Sequence, residues 1–395
     1  MDEAVAADRA DPPDISAEPG KARELIAGSS AAAGKILIYI PSFSGGGAER
    51  VFMRLACRLV EDGYPAAMVV NSEEGPLREL LPGSVPLHVL GSTRSIRTLL
   101  PFARLLRRER PVGVVSALTG ANLNAVLAVK LSRIKTRLVL CQRTQFSAHL
   151  RQLTPVRRFV RRTAVRILYP MADVVTGNTR GLASDIARAA GLSEAAVRVI
   201  PNPAPETDML VAARRNPCPH PWFEEGTPVA VAIARLEPSK DYPTMLRAIA
   251  RLKGRLRLIV LGEGSERARI ERMIEELDLK GTVTLEGFRL NRFDYLVRGR
   301  MLVLSSIREG FPNALIEAVA AGIPCVSTDS AGGGPAEILG RDFSDSIVPV
   351  GDDAALAAAI EAELGRPPRH AKLEQIASRF SLDAMTRRFL KEIGL

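Results

Sequence analysis

Cysteine is scarce. The four cysteines among 395 residues, Cys57, Cys141, Cys218 and Cys325, form no CxxC pair and have no histidine cluster beside them. That spacing argues against a zinc site and a disulfide framework and places the chain in a reducing compartment. No apolar run approaches the ~20 residues that a membrane-spanning helix needs. Aromatic residues are 5% of the chain, few for the stacking platforms of a single-strand binder, so no nucleic-acid partner is expected despite the net charge of +10. Acidic residues are missing between Glu109 and Asp173. From Lys35 to Arg198 there are 25 Lys and Arg against 10 Asp and Glu, and from Val199 onward 26 against 27. The first half is therefore expected to face something anionic and the second half is not. Residues 1–34 have neither the cationic start nor the apolar core of a signal peptide, and read as a disordered leader.

What is present is an alternation of short apolar runs and amphipathic stretches. Strand candidates in the first half are Lys35–Ile40, Ala66–Val70, Val112–Ser116, Leu138–Cys141, Val174–Thr176 and Val197–Ile200, with helical patterns between most of them, the first from Ala48 to about Glu61. A second series runs Val229–Ala234, Leu258–Leu261, Val283–Leu285, Met301–Leu304 and Pro324–Ser327, and the chain is helical in pattern from Ala354. This is the signature of two α/β domains with doubly wound, Rossmann-like parallel sheets. Seven prolines from Pro201 to Pro228 mark a linker. The expected division is a first domain over 35–204, a linker over 205–227, a second domain over 228–378, and a C-terminal helix over 379–395 that packs back on the first. Two such sheets face each other across a cleft, and ligands bind at the carboxyl ends of their strands.

The sharpest constellation is Glu309-Gly310-Phe311-Pro312-Asn313-Ala314-Leu315-Ile316-Glu317, after the strand Met301–Leu304. Pro312 suits a first helical turn. The N–H groups of Asn313, Ala314 and Leu315 then point out of the helix start and make a diphosphate seat. Glu309 and Glu317 lie several ångströms apart along the axis at ~1.5 Å rise per residue. One is placed to take hydroxyl hydrogen bonds from a donor sugar and the other from a ribose. Arg235 and Lys240 follow the strand Val229–Ala234, where they can neutralise charge on a leaving phosphate. Gly262-Glu263-Gly264, after Leu258–Leu261, lets a base approach the backbone.

Together these residues resemble the retaining glycosyltransferase family 4 of the GT-B fold. Ile200-Pro201-Asn202-Pro203 is similar to that family's linker entry, and Ala320–Asp329 to the segment after its glutamate motif. The resemblance spans roughly Gly34 to Leu395. It implies that Arg235 and Lys240 bind the diphosphate, that Glu309 contacts the donor sugar in catalysis, and that Glu317 holds the ribose. Gly262, Glu263, Phe311, Asn313, Ala314 and Leu315 complete the donor site.

The first half is less specific. Ser44-Gly45-Gly46-Gly47-Ala48-Glu49-Arg50 joins the first strand to the first helix. Gly46 and Gly47 allow a ligand near a helix start, although a tight turn reads the same way. The resemblance implies that this loop faces the donor phosphate or the acceptor. Many family members carry a histidine where this chain reads Cys141-Gln142-Arg143-Thr144. His149 is a substitute there or an ordinary loop histidine, and Arg143 falls on the acceptor side. The departure resembles bacterial polysaccharide and lipid-linked oligosaccharide subgroups. From Pro155 to Tyr169 the chain is at its most basic. Arg158, Arg161 and Arg162 group on one side of a helix, and Val156, Phe159, Val160 and Ile167 largely on the other. Such a helix fits an anionic leaflet or an isoprenyl diphosphate head, or packs on its own sheet.

The expected reaction moves a sugar from a uridine or guanosine diphosphate sugar to a glycan or isoprenyl-diphosphate-linked acceptor in cell-surface polysaccharide assembly. No DxD-type motif accompanies the donor site, so no metal or other cofactor is expected. The expected location is cytoplasmic, with peripheral attachment to the inner face of the membrane open. A GT-B-shaped nucleotide-sugar epimerase shares the fold and donor, but leaves the basic stretch without work.

Overall fold

The computed structural model describes residues 34–93, 95–367 and 369–395. The expected leader lies outside the described residues except for Gly34. The first sheet contains β1 (Ile36–Ile40), β2 (Ala66–Val70), β3 (Leu87–Val89), β4 (Gly113–Ala117), β5 (Arg137–Gln142), β6 (Val174–Gly177) and β7 (Val197–Val199). Its order is β3-β2-β1-β4-β5-β6-β7, parallel throughout. The second contains β8 (Val229–Ile233), β9 (Arg257–Leu261), β10 (Val283–Gly287), β11 (Met301–Leu304), β12 (Cys325–Thr328) and β13 (Ile347–Val348), ordered β10-β9-β8-β11-β12-β13 and also parallel. Each sheet grows outward in both directions from its first strand, which opens a crevice at the carboxyl ends of β1 and β4, and of β8 and β11.

The apolar runs are uninterrupted because helices cover both faces of each sheet, so every residue of β1, β2 and β4 is buried. The edge strands β3 and β13 escape a sequence reading. They are three and two residues long, and neither is buried throughout, so neither shows a recognisable period. The helix Gly47–Glu61 buries Val51, Phe52, Leu55 and Leu59 in the first core. Phe389, Leu390 and Ile393 of the last helix, Leu382–Ile393, enter the same core, and Phe389 meets Phe52 edge-on at 6.0 Å between ring centres. The end of the chain thus bridges the two halves.

One expectation needs correction, and one open alternative closes. The supposed linker over 205–227 contains the helix Thr207–Arg215, whose Leu210 and Ala213 are buried, Leu210 in the second domain's core, while Trp222 and Phe223 pack further along the same face of that sheet. Two apolar positions three apart suffice for a docked helix, and the flanking prolines conceal them in the sequence. The basic helix Pro155–Leu168 does not pack its apolar face. Val165 is its buried residue, whereas Val156 is 75% and Phe159 71% exposed, with Val160 and Ile167 exposed beside them. No helix among the described residues is long and apolar enough to cross a membrane.

Candidate active site between the two sheets

A cleft of about 900 Å³ lies between the carboxyl edges of the sheets, lined from both domains. On the second-domain side, β8 runs into a turn whose last residue is Lys240. Asp241 follows at φ +47° and caps the next helix, its carboxylate accepting from the Thr244 hydroxyl at 2.7 Å. The Lys240 carbonyl accepts from Ser305 Oγ at 2.7 Å, which ties the turn to the loop after β11. This leaves the Lys240 ammonium directed at Glu309, with Nζ 2.5 Å from Oε1. Ser306 Oγ donates to the same oxygen at 2.8 Å. Lys240 and Glu309 are 18% and 15% exposed, so the pair is shielded but still open to the cleft.

Glu317 lies on the helix Asn313–Ala320. Its carboxylate is gripped from two sides by Arg292, with Nε at 2.9 Å and Nη2 at 2.6 Å. Burial disfavours the charged Arg292, yet Glu317 outweighs it and holds the guanidinium above its ordinary value. Arg50, from the first domain, reaches the same neighbourhood and is pushed down to about 10, first by burial and then by Arg292. Phe288 lies under Arg50, with 6.0 Å from Cζ to the ring centre.

The tip of the helix Asn313–Ala320 faces the glycine loop of the first domain. A Cβ on Gly47 would sit 2.3 Å from Asn313 Nδ2, and one on Gly46 2.2 Å from Glu49 Oε2. Glycine at 46 and 47 thus leaves room for the ends of the Glu49 and Asn313 side chains, the second of them reaching across the cleft. Behind them, Arg143 Nη1 donates to Asn202 Oδ1 at 2.8 Å, and Asn202 Nδ2 donates to Asn313 Oδ1 at 2.6 Å. The wall is completed where Thr179 Oγ1 donates to the Gly332 carbonyl at 2.9 Å and the Arg180 N–H to Glu337.

Most of the expected residues meet here. Arg235, Lys240, Gly262, Glu263, Glu309, Phe311, Asn313, Ala314 and Glu317 line the cleft from one side, and Gly46, Gly47, Arg143 and His149 from the other. Several differ in detail. Pro312 is the N-cap, one residue before the helix. Leu315 is fully buried in the second core and its N–H is taken by the Pro312 carbonyl at 3.1 Å. It therefore offers neither side chain nor donor to a ligand. The Phe311 ring is 5% exposed and packs edge-on against Phe380, so it shapes the loop. Gly262 and Gly264 have a structural cause: a Cβ there would lie 1.9 Å from the Ala234 carbonyl oxygen and 2.3 Å from that of Leu236. Their role is to seat two adjacent loops against each other. Arg235 extends into solvent and pairs with Glu237 at 2.7 Å. Arg158 is spent on the carbonyls of Leu150, Arg151 and Leu153, where it caps the helix Phe146–Arg151. Arg161 lies close enough to His149 to reinforce the effect of burial, which lowers that imidazole's pKa, while Arg162 is exposed. Sequence reasoning missed Arg50, Arg292, Ser306 and the role of Asn202. Only Arg50 had a signal, its place in the first turn after the glycine loop.

Two facing Rossmann-like domains with a cation, a helix tip and paired carboxylates in the cleft define a GT-B glycosyltransferase, and solved structures share the fold. Anabaena HepE, crystallised with UDP and glucose, superposes with a TM-score of 0.75 at 18% identity, covering 91% of this chain and 99% of that one. The lipopolysaccharide outer core galactosyltransferase WaaB superposes at 0.67 with 20% identity and the same two coverages. The sequence carries the assignment further. Residues 45–207 match the model of Glycosyltransferase Family 4 and residues 220–380 that of Glycosyl transferases group 1. The chain belongs to this glycosyltransferase family. Among its relatives is the N-acetylgalactosamine-N,N'-diacetylbacillosaminyl-diphospho-undecaprenol 4-alpha-N-acetylgalactosaminyltransferase of Campylobacter jejuni, 26% identical over 82% of this chain and 88% of that protein. Another is the lipopolysaccharide core biosynthesis glycosyltransferase LpsE of Rhizobium meliloti, 27% identical over 88% of this chain and 95% of its own length.

Proposed function

We propose that this glycosyltransferase transfers a sugar, with retention of anomeric configuration, from a nucleoside diphosphate sugar to a lipid-linked saccharide in bacterial polysaccharide or lipopolysaccharide assembly. The observation that carries the reading is the second-domain wall of the cleft, where Lys240 and Glu309 meet beside the tip of the helix Asn313–Ala320. In this reading the N–H groups of Asn313 and Ala314 and the Lys240 ammonium receive the diphosphate. Glu309 takes a hydroxyl of the donor sugar, and Glu317, released in part by Arg292, takes the ribose. Arg235 swings in from solvent as the cleft fills.

The chemistry is one substitution. The acceptor oxygen forms a bond to the anomeric carbon on the face from which the diphosphate departs, the bond from that carbon to the phosphate oxygen breaks, and the acceptor proton passes to the departing phosphate oxygen. The negative charge gathered on the leaving group is met by Lys240, Arg235 and the helix tip, so no divalent ion is required. Among the described residues no cluster of three or more His, Cys, Asp or Glu is arranged to hold a metal. His149, whose imidazole pKa is lowered by burial and then by Arg161, lies on the acceptor side.

The acceptor side also has an exposed surface. The apolar residues Val156, Phe159, Val160 and Ile167 stand open among arginines, in a segment with no acid between Glu109 and Asp173. That pairing of apolar side chains and positive charge fits the headgroup layer of an anionic membrane, where a lipid-linked acceptor resides. The relatives named for lipid-linked and lipopolysaccharide substrates support this choice. The test is transfer from radiolabelled UDP- and GDP-sugars to isoprenyl-diphosphate-linked saccharides in the presence of a chelator. Transfer with retained configuration is expected from the wild type and not from Lys240→Ala. Inversion, or an absolute need for a divalent ion, contradicts the reading.

A further inference from the structure

Among the described residues Arg143 is a buried cation with no carboxylate paired to it. It is 6% exposed and lines the cleft, with its Cζ 4.6 Å from the centre of the Phe52 ring. Among the described residues its guanidinium donates to Asn202 Oδ1 while Nε and Nη2 find no nitrogen or oxygen acceptor, with the Cys141 sulfur beside it. Its near neighbour Cys141 is kept as a neutral thiol by burial. A guanidinium in such a place carries a desolvation cost that the protein does not offset with an acid.

The guanidinium dictates how the amides next to it are turned, because it has donors and no acceptor. The Asn202 atom facing it must therefore be the carbonyl oxygen, so the Asn202 amide nitrogen faces away. That nitrogen lies 2.6 Å from Asn313 and requires an acceptor, so Asn313 must present Oδ1 to it. The remaining end of Asn313, its NH2 group, is thereby turned toward the glycine loop, where Nδ2 lies 2.3 Å from the place a Gly47 Cβ would take. Asn202 is itself held between Pro201 and Pro203 and is 3% exposed, so its backbone is restricted on both sides.

We infer that Arg143 is a positioning residue: through Asn202 it sets the orientation of the Asn313 amide, so that this side chain presents a donor to the leaving diphosphate. Without the relay, Asn313 is free to turn its carbonyl oxygen toward an anion. The inference rests on the diphosphate reading of the cleft, and the experiment separates the two.

Calorimetric titrations of UDP, GDP, uridine and guanosine are made with the wild type, Arg143→Lys, Arg143→Gln and Asn202→Ala, each with its melting curve. Lysine at 143 donates only and preserves the polarity, whereas glutamine also accepts and releases it. Asn202→Ala keeps the charge and removes the relay. Loss of one hydrogen bond to a charged group predicts a fall of about tenfold or more in nucleoside diphosphate affinity for Arg143→Gln and Asn202→Ala. The matching nucleoside should hold its affinity in both, and Arg143→Lys should bind the diphosphate within about threefold of the wild type. Undiminished diphosphate binding by Asn202→Ala, or equal losses for nucleoside and diphosphate, or Lys failing as badly as Gln, overturns the inference while leaving the diphosphate reading intact. A wild type that binds neither UDP nor GDP overturns both. If Asn202→Ala does not melt as a folded protein, the Lys and Gln pair at 143 decides.

Discussion

The two walls of the cleft treat charge in opposite ways. On the second-domain wall most cations have a carboxylate: Arg235 with Glu237, Lys240 with Glu309, Arg289 with Glu286, Arg292 with Glu317. On the first-domain wall Arg143 rests on an aromatic ring and an amide, and Arg50 on the Phe288 ring. The paired cations of the second-domain wall are met from within it, and a ligand engages them by exchanging partners. The first-domain wall keeps positive charge at Arg143 and Arg50 with no ion-paired carboxylate among the described residues, charge that is available to an anion. The first arrangement gives a preorganised seat, and the second gives attraction toward an anion.

The largest expected effect tests the paired wall. Lys240→Ala should lower kcat by about 100-fold or more, in line with the loss of a charge that stabilises a leaving group. It should also destabilise the fold, because Glu309 is left without its partner in a shielded site. Adding Glu309→Gln should restore the melting temperature and leave kcat low. Full recovery of turnover would show that the pair is structural.

Gly47→Ala tests the contact between the walls. Alanine suits the first turn of a helix, so the melting temperature should hold. The new methyl group meets Asn313 Nδ2, and kcat/KM should fall about tenfold or more as the cleft fails to close. Unchanged kinetics would mean that the walls need not touch.

The unspent charge of the first-domain wall is sharpened at its outer helix. Phe159→Asp removes an exposed ring and adds an acid, and sedimentation with vesicles containing anionic lipid should show binding weakened about tenfold. Activity toward a short water-soluble acceptor should not change. Equal binding by the variant would separate the helix from the membrane.

The smallest effect concerns Glu337, which accepts from the Arg180 N–H at the edge of the cleft. Burial raises its pKa, and the Arg180 contact only partly opposes this. The folded state therefore holds the proton at a higher pH than the unfolded chain does. Stability from this group is lost as pH rises from the ordinary glutamate range through the raised value, and the cost is complete above it. Glu337→Gln avoids that cost. Its melting temperature should exceed that of the wild type at neutral pH by a small margin, and the margin should close as pH falls toward the ordinary carboxylate range.

Legibility in the sequence splits along the same line. Buried parallel strands announce themselves as continuous apolar runs, and the donor wall is assembled from stretches that are each local: a strand end, a loop, a helix start. Arg235, Lys240 and the residues from Glu309 to Glu317 could be read because each lies just after a strand. The relay could not. Arg143 and Asn202 are 59 positions apart and Asn202 and Asn313 a further 111, and nothing local marks them as partners. Arg292 sits 25 residues before the carboxylate it grips, at the start of a helix of five residues, too short to show a period. The exposed apolar face of Pro155–Leu168 was legible as a pattern but not as a surface, because amphipathicity alone does not tell whether a sheet or a membrane receives it.

The central claim is that Lys240 and the tip of the helix Asn313–Ala320 hold a diphosphate. A crystal structure of the protein with UDP or GDP, grown in the presence of a chelator, tests it most directly. The account predicts the terminal phosphate within hydrogen-bonding distance of the Asn313 and Ala314 N–H groups, with the Lys240 ammonium turned from Glu309 toward it. A nucleotide bound with its phosphates directed away from that helix, and Lys240 still joined to Glu309, would contradict it.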